Sequence, residues 1–337
     1  MFALLLKPFT AYGRAKTWKR IIADTFLYHT LTKLTRRQAR AFYQPTRAVY
    51  NDVVKRLDYP QAIEEVGDDA RLLWVGAKRT DRVLLYFHGG GFLLGLPAPA
   101  PWFWRYIQEN LEKKGKPTGL AILNYSLIPD RPFPTQLNQA VLALQHLLET
   151  GVKPENIQLV GDSAGGALIH GIFSHILHPL PGITKLELPG PLGGAYFMST
   201  WSKLVNDEAN CLHTNEGSDW LRGKTCGYWG AICMEGVPEN IVPYLEGNSA
   251  PKDWLKGIDK HVKRILLTVG EVEVLRDTII QYAETVQQYH PNAKLIVQEF
   301  GTHNDVYTDF ITGTNDAQNL KPLILDWIDK GFSNKVD

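Results

Sequence analysis

The chain has few cysteines and no long apolar run. Its 337 residues include three cysteines, Cys211, Cys226 and Cys233, none of which has the spacing of a zinc site. An odd and small number indicates reduced thiols rather than a disulfide framework, so the sequence predicts a cytoplasmic protein. No run approaches the ~18 apolar residues that a membrane-spanning helix needs. Residues 1–6 are too short for the apolar region of a signal peptide.

The common cofactor motifs are also absent. The chain has no P-loop, no G-x-G-x-x-G after a strand and no H-E-x-x-H, so we expect neither a cofactor nor a metal. Positive charge is concentrated in residues 1–57, which carry twelve Lys/Arg against two acids, although the whole chain has a net charge of +1. No recognisable nucleic-acid-binding domain accompanies this basic stretch, so nucleic acid is not expected as a partner. The favoured interpretation is a helical cap whose basic residues face water or the acidic body. Peripheral contact with a membrane surface is the alternative.

The composition is that of a globular chain with one core. It is 44% hydrophobic and 21% charged, and it is long enough for one α/β core with an additional layer. Strand and helix patterns alternate between residues 82 and 330. This alternation predicts an α/β fold with a mostly parallel central sheet flanked by helices.

The first motif lies where a strand runs into a helix. Apolar residues 157–160 precede Gly161-Asp162-Ser163-Ala164-Gly165, which has the G-x-S-x-G form of a nucleophile elbow. The turn brings neighbouring chain close to both glycines, so side chains there would clash. It also places the Ser163 hydroxyl at a helix N-terminus, where N–H groups favour developing negative charge. The pattern predicts that Ser163 is a nucleophile and that Asp162 supports the loop.

The second motif follows another strand, 75 residues upstream (163 − 88). Residues 83–87 form a buried-strand run that ends in His88-Gly89-Gly90-Gly91-Phe92. Three consecutive glycines leave backbone N–H groups bare, which packing alone does not explain. Paired with the elbow, they predict an oxyanion hole made by the N–H groups of Gly89, Gly90 or Gly91 and of Ala164. The imidazole of His88 is expected to brace this loop.

Together these motifs resemble the hormone-sensitive-lipase-like (HGGG) branch of the α/β-hydrolase superfamily. Residues 124–134 resemble the branch's Y-x-L-x-P…P-F-P connection, and residues 271–277 resemble its D-x-L-R-D acid motif. Glutamate stands at the acid position, where the family usually has aspartate, and its longer side chain leaves the geometry open. The G-E-x-E-V-L-R-D form is most similar to fungal steryl acetyl hydrolases and to hydrolases of secondary-metabolite clusters.

The resemblance also implies a domain organisation. The expected fold is the α/β-hydrolase fold with a helical cap. An N-terminal cap segment is expected over residues 1–57 and the hydrolase domain over 58–337, with a cap insertion at about 200–245.

The residues that come after three of the predicted strands indicate a catalytic triad. A serine hydroxyl needs a base to take its proton, and the base needs a third group to orient it. The chain order Ser163, Glu273, His303 is that of α/β-hydrolases, and each residue follows an apolar strand. All three side chains can therefore meet at one edge of the sheet.

Other histidines and acids compete for these roles. His170, His175 and His178 follow the elbow on one helix, but their spacing does not place all three on one face for a metal. Asp277 is better explained as an ion-pair partner or a cap. Asp305 lies too near the candidate base in sequence to approach its ring from the usual side.

Aromatic residues concentrate in the segments expected to form the cap. Aromatic walls suit a bulky apolar substrate, although part of these residues are expected to be core. The residues expected to line a substrate pocket are Phe92, Trp102, Trp201 and Trp229. Because the cap lies outside the catalytic strands, it is expected to select the substrate. Removal of the N-terminal segment would then abolish activity on a bulky ester and spare a small one.

The main hypothesis is a serine carboxylester hydrolase that cleaves a short-chain acyl ester, such as an acetate, of a bulky hydrophobic alcohol. Two alternatives stay open. The same oxyanion hole could support lyase or carbon–carbon bond-forming chemistry on a polyketide-like pathway intermediate. A non-catalytic small-molecule receptor is the other alternative, since plant gibberellin receptors resemble this branch but lack its histidine. The presence of His303 argues against a receptor. The sequence predicts no oligomeric state.

Overall fold

One mixed sheet forms the centre of the structure. The computed structural model describes residue 13 and residues 16–205, 215–314 and 319–332. Within these residues the strands are β1 (Ala62–Gly67), β2 (Ala70–Val75), β3 (Val83–Phe87), β4 (Gly119–Asn124), β5 (Ile157–Asp162), β6 (Gly194–Met198), β7 (Ile265–Gly270) and β8 (Ala293–Gln298). Their order across the sheet is β1-β2-β4-β3-β5-β6-β7-β8. β2 pairs antiparallel with both neighbours, and the pairs from β4 to β8 are parallel.

Helices cover both faces of this sheet. The α-helices are α1 (Trp18–Lys33), α2 (Arg36–Phe42), α3 (Thr46–Arg56), α4 (Ala100–Lys113), α5 (Thr135–Glu149), α6 (Ala164–Leu177), α7 (Gly223–Met234), α8 (Val242–Leu245), α9 (Arg276–Tyr289), α10 (Asp305–Thr312) and α11 (Lys321–Gly331). Among the described residues, no helix is both long enough and apolar enough to cross a bilayer. The predicted parallel sheet with flanking helices is confirmed.

The central strands are apolar runs because both of their faces are covered. Successive residues of a strand point to opposite faces, so Leu85 packs in one hydrophobic core with α5, α6 and α9. Leu84 packs in the other core with α3, α4 and α11. The carboxyl ends of the parallel strands meet at one edge, and the loops that follow β3, β5, β7 and β8 bring the candidate site together there.

The N-terminal helices are attached to this body by a buried ion-pair cluster. Arg20 of α1 is fully buried and bonds the carboxylates of Asp24, Asp305 and Asp309. Lys16 also reaches Asp305, at 3.3 Å. The guanidinium therefore ties α1 to α10, the helix that follows β8. The sequence predicted that the basic N-terminal residues face either water or the acidic body of the protein. Lys16 and Arg20 face the acidic body.

Candidate active site

Ser163 lies in a strained turn between β5 and α6. Its backbone has φ 53° and ψ −117°, a conformation that side-chain-bearing residues adopt rarely and mostly at functional sites. A Cβ at Gly161 would lie 2.6 Å from the carbonyl carbon of Gly165. A Cβ at Gly165 would overlap the carbonyl oxygen of Phe87. Both glycines are therefore required for the turn to close against β3.

Glu273 and His303 form a buried pair. His303 Nδ1 donates to Glu273 Oε1 at 2.6 Å. The second carboxylate oxygen accepts hydrogen bonds from Ser199 Oγ at 2.9 Å and from the Gly270 N–H at 3.0 Å. These bonds fix the carboxylate on the loop after β7, facing the loop after β8. The glutamate side chain therefore reaches the histidine from the loop after β7.

The electrostatics of the pair favour the protonated imidazole. Burial alone would lower the pKa of His303, but the charge and hydrogen bond of Glu273, with the nearby Asp219 and Asp162, outweigh it. The pKa of His303 therefore lies above its usual value. Such a ring accepts a proton readily while Glu273 stabilises the imidazolium.

Asp219, which the sequence analysis did not identify, joins the acid loop to the histidine loop. Its Oδ1 accepts the N–H groups of His303 at 3.1 Å and Leu221 at 3.2 Å, and its Oδ2 accepts the N–H of Val274 at 2.9 Å. Burial, and then the charge of Glu273, raises the pKa of Asp219 to about 7, against the charge of His303 and the N–H donors. The described residues directly before it, 215–218, form no strand, and its tertiary contacts identify it.

Trp220 holds the histidine loop from the same segment. Its indole N–H donates to the His303 carbonyl oxygen at 2.7 Å, and its ring meets the imidazole edge-on at 5.2 Å between centroids. Asp219 and Trp220 together bind the backbone of His303 on both its N–H and its C=O. The position of the histidine thus depends on residues of the segment after β6.

The glycine loop lies against the elbow. The Gly89 N–H bonds the carboxylate of Asp162, and a Cβ on Gly89 would lie 3.1 Å from the Cβ of Ser163. Gly90 and Gly91 have positive φ values of 106° and 61° and line the same cavity as Ser163. Because the N–H of Gly89 is bonded to Asp162, the glycine N–H groups available to an oxyanion are those of Gly90 and Gly91. The N–H of Ala164, at the start of α6, is the further candidate donor.

His88 is bonded as a neutral brace. Its Nδ1 donates to the Gly89 carbonyl oxygen at 2.6 Å, and its Nε2 accepts from the Thr46 hydroxyl at 3.0 Å. Its ring stacks on Tyr125 at 4.3 Å. Burial lowers the pKa of His88 to about 4, against the raising effect of the Gly89 carbonyl. The ring stays neutral near pH 7, and its two nitrogens connect the glycine loop to the start of α3.

Asp162 collects hydrogen bonds beneath the elbow. Its Oδ1 accepts from the hydroxyls of Tyr86 at 2.5 Å and Tyr307 at 3.1 Å, and its Oδ2 accepts from Asn304 Nδ2 at 3.2 Å. Burial raises the pKa of Asp162, although the two tyrosine hydroxyls and the N–H of Gly89 oppose the shift. The carboxylate therefore links β3, the elbow and the residue that follows the histidine.

The competing groups have other partners. His170 is buried between Tyr282 and the Pro243 carbonyl oxygen, and burial lowers its pKa to about 4. The competing acids form ion pairs. Asp277 pairs with Arg276 at 2.8 Å. Asp305 pairs with the buried guanidinium of Arg20.

The other two histidines near the end of α6 also have backbone partners. His175 and His178 donate to the carbonyl oxygens of Thr184 and Trp254, respectively.

A cavity of about 470 Å³ opens onto Ser163 and His303. Its walls are mostly apolar and come from α1, α2 and α3, from the loop before α4 and from the segment around α7. Three of the four residues expected in the pocket line it: Trp102, Trp201 and Trp229.

Phe92 was predicted as a pocket residue, and that prediction is wrong. Its φ of 60° turns the side chain into the core, where its ring meets Tyr125. Phe103 and Trp104, which follow Trp102 in α4, are also core because the helix turns them toward the sheet. Cys211 lies outside the described residues.

Comparison with known families and structures identifies this architecture. The family model described as the alpha/beta hydrolase fold matches residues 84–306. The chain belongs to this family. Human hormone-sensitive lipase is 35% identical over 97 residues, which are 27% of this chain and 8% of the lipase. The resemblance to the hormone-sensitive-lipase-like branch is confirmed, whereas the narrower similarity to fungal steryl acetyl hydrolases stays a prediction.

Two further comparisons extend the match. An acetyl-hydrolase of Streptomyces hygroscopicus is 41% identical over 98 residues, 28% of this chain and 30% of that protein. The alignments therefore span less than a third of these two relatives. The crystal structure of an esterase from the bacterial hormone-sensitive lipase family superposes with a TM-score of 0.72 at 20% identity, covering 94% of this chain and 99% of that one. That likeness establishes the fold.

Proposed function

We propose that this protein is a serine carboxylester hydrolase that cleaves a short-chain acyl ester of a bulky hydrophobic alcohol. The observation that carries the proposal is the buried Glu273–His303 pair, 2.6 Å apart, beside a cavity that the strained Ser163 also lines. A relative of the chain is named an acetyl-hydrolase, which supports an acetyl or similar group.

The proposed reaction has two steps, acylation of Ser163 and hydrolysis of the acyl-serine, and the same residues act in both. The Ser163 hydroxyl attacks the ester carbonyl while His303 Nε2 takes its proton, and Glu273 keeps Nδ1 protonated and the ring in place. The N–H groups of Gly90, Gly91 and Ala164 stabilise the oxyanion. The alcohol leaves with the proton from His303. Water then attacks the acyl-serine with the same base, and the acid and Ser163 are released.

The cavity walls support a small acyl group and a large alcohol. Trp201 is held at the elbow, because its backbone N–H donates to the Ser163 carbonyl oxygen at 3.0 Å. A Cβ on Gly91 would lie 2.6 Å from the Trp229 ring and 3.5 Å from the Trp201 ring. The two indoles therefore close the space beside the glycine loop. The walls from α1 to α3 are lined mainly by apolar side chains, which suit a bulky hydrophobic alcohol.

Ester series test both halves of this proposal. Among p-nitrophenyl esters, acetate and propionate should give the highest kcat/KM, and long acyl chains the lowest. Trp229→Leu should move the preference toward longer chains, because it removes the ring that faces Gly91. Trp102→Leu, in the part of the cavity wall that α4 contributes, should leave the acyl preference unchanged and alter the preference among acetates of different alcohols. A wild-type preference for long acyl chains would contradict the assignment of the acyl group to the space beside Trp201 and Trp229.

A further inference from the structure

An apolar patch is exposed on the outer face of the N-terminal helices. Trp18, Ile22 and Phe26 of α1 are 60%, 55% and 53% exposed, and Phe42 of α2 is 51% exposed. The first three recur every four residues, so they share one side of α1. The rings of Phe26 and Phe42 are 5.9 Å apart, which joins the two helices into one patch. Large apolar residues exposed together mark a surface that contacts something else.

The patch continues into the cavity that ends at Ser163. Phe26 and Phe42 are half exposed and also line this cavity, together with Leu27 and Leu31 of α1. One apolar surface therefore runs from the outside of the cap to the candidate nucleophile.

The solvent-exposed charges that α1 and α2 themselves carry are of one sign. Between Trp18 and Phe42 the sole acid is Asp24, and that carboxylate is buried against Arg20. Lys19, Lys33 and Arg37 are exposed on the same two helices. Aromatic and aliphatic residues flanked by Lys and Arg are typical of helices that lie in the interface of an anionic bilayer.

We propose that the outer face of α1 and α2 docks on an anionic lipid surface, with the mouth of the cavity turned toward the lipid. The apolar patch enters the acyl boundary, and the flanking basic residues contact the headgroups. The position of this mouth lets a hydrophobic ester pass from the lipid into the cavity. The docking itself does not depend on the proposed ester hydrolysis.

Vesicle co-sedimentation of the full chain tests this docking. We expect binding to phosphatidylcholine vesicles that contain phosphatidylserine, weaker binding to pure phosphatidylcholine, and release by salt.

Variants of the patch test which residues make the contact. Ile22→Ser should weaken binding about tenfold, and Trp18→Ser should weaken it more. The matched control Val297→Ser, on an exposed aliphatic residue of β8, should bind like wild type. Lys33→Glu with Arg37→Glu should weaken binding to anionic vesicles, whereas Lys256→Glu should not.

Some outcomes would overturn the proposal. Absence of binding to anionic vesicles would do so, as would binding that Ile22→Ser and Val297→Ser weaken equally. A dimer in solution that Ile22→Ser dissociates would assign the face to a second copy of the chain. Because sedimentation does not require turnover, Ser163→Ala should bind like wild type. Failure of ester hydrolysis is thereby distinguished from failure of docking.

Discussion

Arg20 bonds Asp305 across 285 positions of the sequence. The same guanidinium donates to the hydroxyl of Thr302 at 2.8 Å. Thr302 and Asp305 stand on either side of His303, so α1 holds the loop that carries the candidate base. The bond between α1 and this loop is buried, with Arg20 and Asp305 shielded from solvent. The N-terminal segment thus forms a wall of the cavity and also positions the histidine.

Arg20→Met should unfold or inactivate the protein. The change keeps the aliphatic length but removes the guanidinium that bonds the buried carboxylates of Asp24, Asp305 and Asp309. Breaking a buried ion pair from one side typically costs about 3–5 kcal/mol. Chemical denaturation should report a loss of this size. Turnover of p-nitrophenyl acetate should fall together with turnover of a bulky acetate, and removal of the N-terminal segment should do the same.

This outcome differs from the expectation that the N-terminal segment selects only the alcohol. Arg79→Met is a suitable control, because Arg79 forms an exposed ion pair with Glu112 and should cost less than about 1 kcal/mol. If Arg20→Met kept wild-type activity on p-nitrophenyl acetate and lost only the bulky ester, the positioning role of Arg20 would be wrong.

Activity should fall on the acid side through a pKa above the ordinary value of histidine. The base must be neutral to take the proton of Ser163, and Glu273 and the neighbouring carboxylates raise the pKa of His303 against the effect of burial. The pH profile of kcat/KM reports this value in the free enzyme. Glu273→Gln removes the nearest negative charge, so the acid limb should move to lower pH. Turnover should fall by about 10³–10⁴ because the ring loses its orientation. An unchanged acid limb in Glu273→Gln would show that another group controls it.

Asp219→Asn should lower activity without removing a triad member. Both carboxylate oxygens of Asp219 accept N–H groups, whereas an asparagine side chain would turn its NH₂ toward one of these donors. An unsatisfied buried donor costs about 1–3 kcal/mol, and we expect a stability loss in that range. The His303 loop should loosen, which lowers kcat more than it raises KM.

The pH profile distinguishes positioning from simple destabilisation. The charge of Asp219 contributes to the raised pKa of His303, so the acid limb of Asp219→Asn should also move to lower pH. Asp130→Asn, on an exposed carboxylate paired with Arg40, should change neither the limb nor the stability. A destabilised variant with an unshifted limb would limit Asp219 to a structural role.

The sequence predicted the sheet and the residues at its carboxyl edge because both have local signals. β3 and β7 begin and end where their apolar runs do, and parallel strands that are buried on both faces must be such runs. Ser163, Glu273 and His303 could be found since each follows one of these runs. Parallel strands bring their carboxyl ends to one edge, which is why residues far apart in sequence meet.

The residues that sequence reasoning missed depend on tertiary contacts alone. Asp219 lies in a segment without periodicity, and its importance comes from N–H groups 55 and 84 positions away. Arg20 looked like one more charge of a basic helix, yet it is fully buried. Phe92 stands beside the glycine motif, but its direction depends on a backbone φ of 60° that composition does not reveal.

Labelling with a fluorophosphonate tests whether Ser163 is an activated nucleophile. We expect the folded protein to gain one phosphonyl group on Ser163, Ser163→Ala to gain none, and labelling to slow in Glu273→Gln. A p-nitrophenyl acetate burst should accompany the labelling, because the same oxygen forms the acyl-serine. Folded wild-type protein that takes up no label at Ser163 would contradict the proposed ester hydrolysis and favour a non-catalytic receptor.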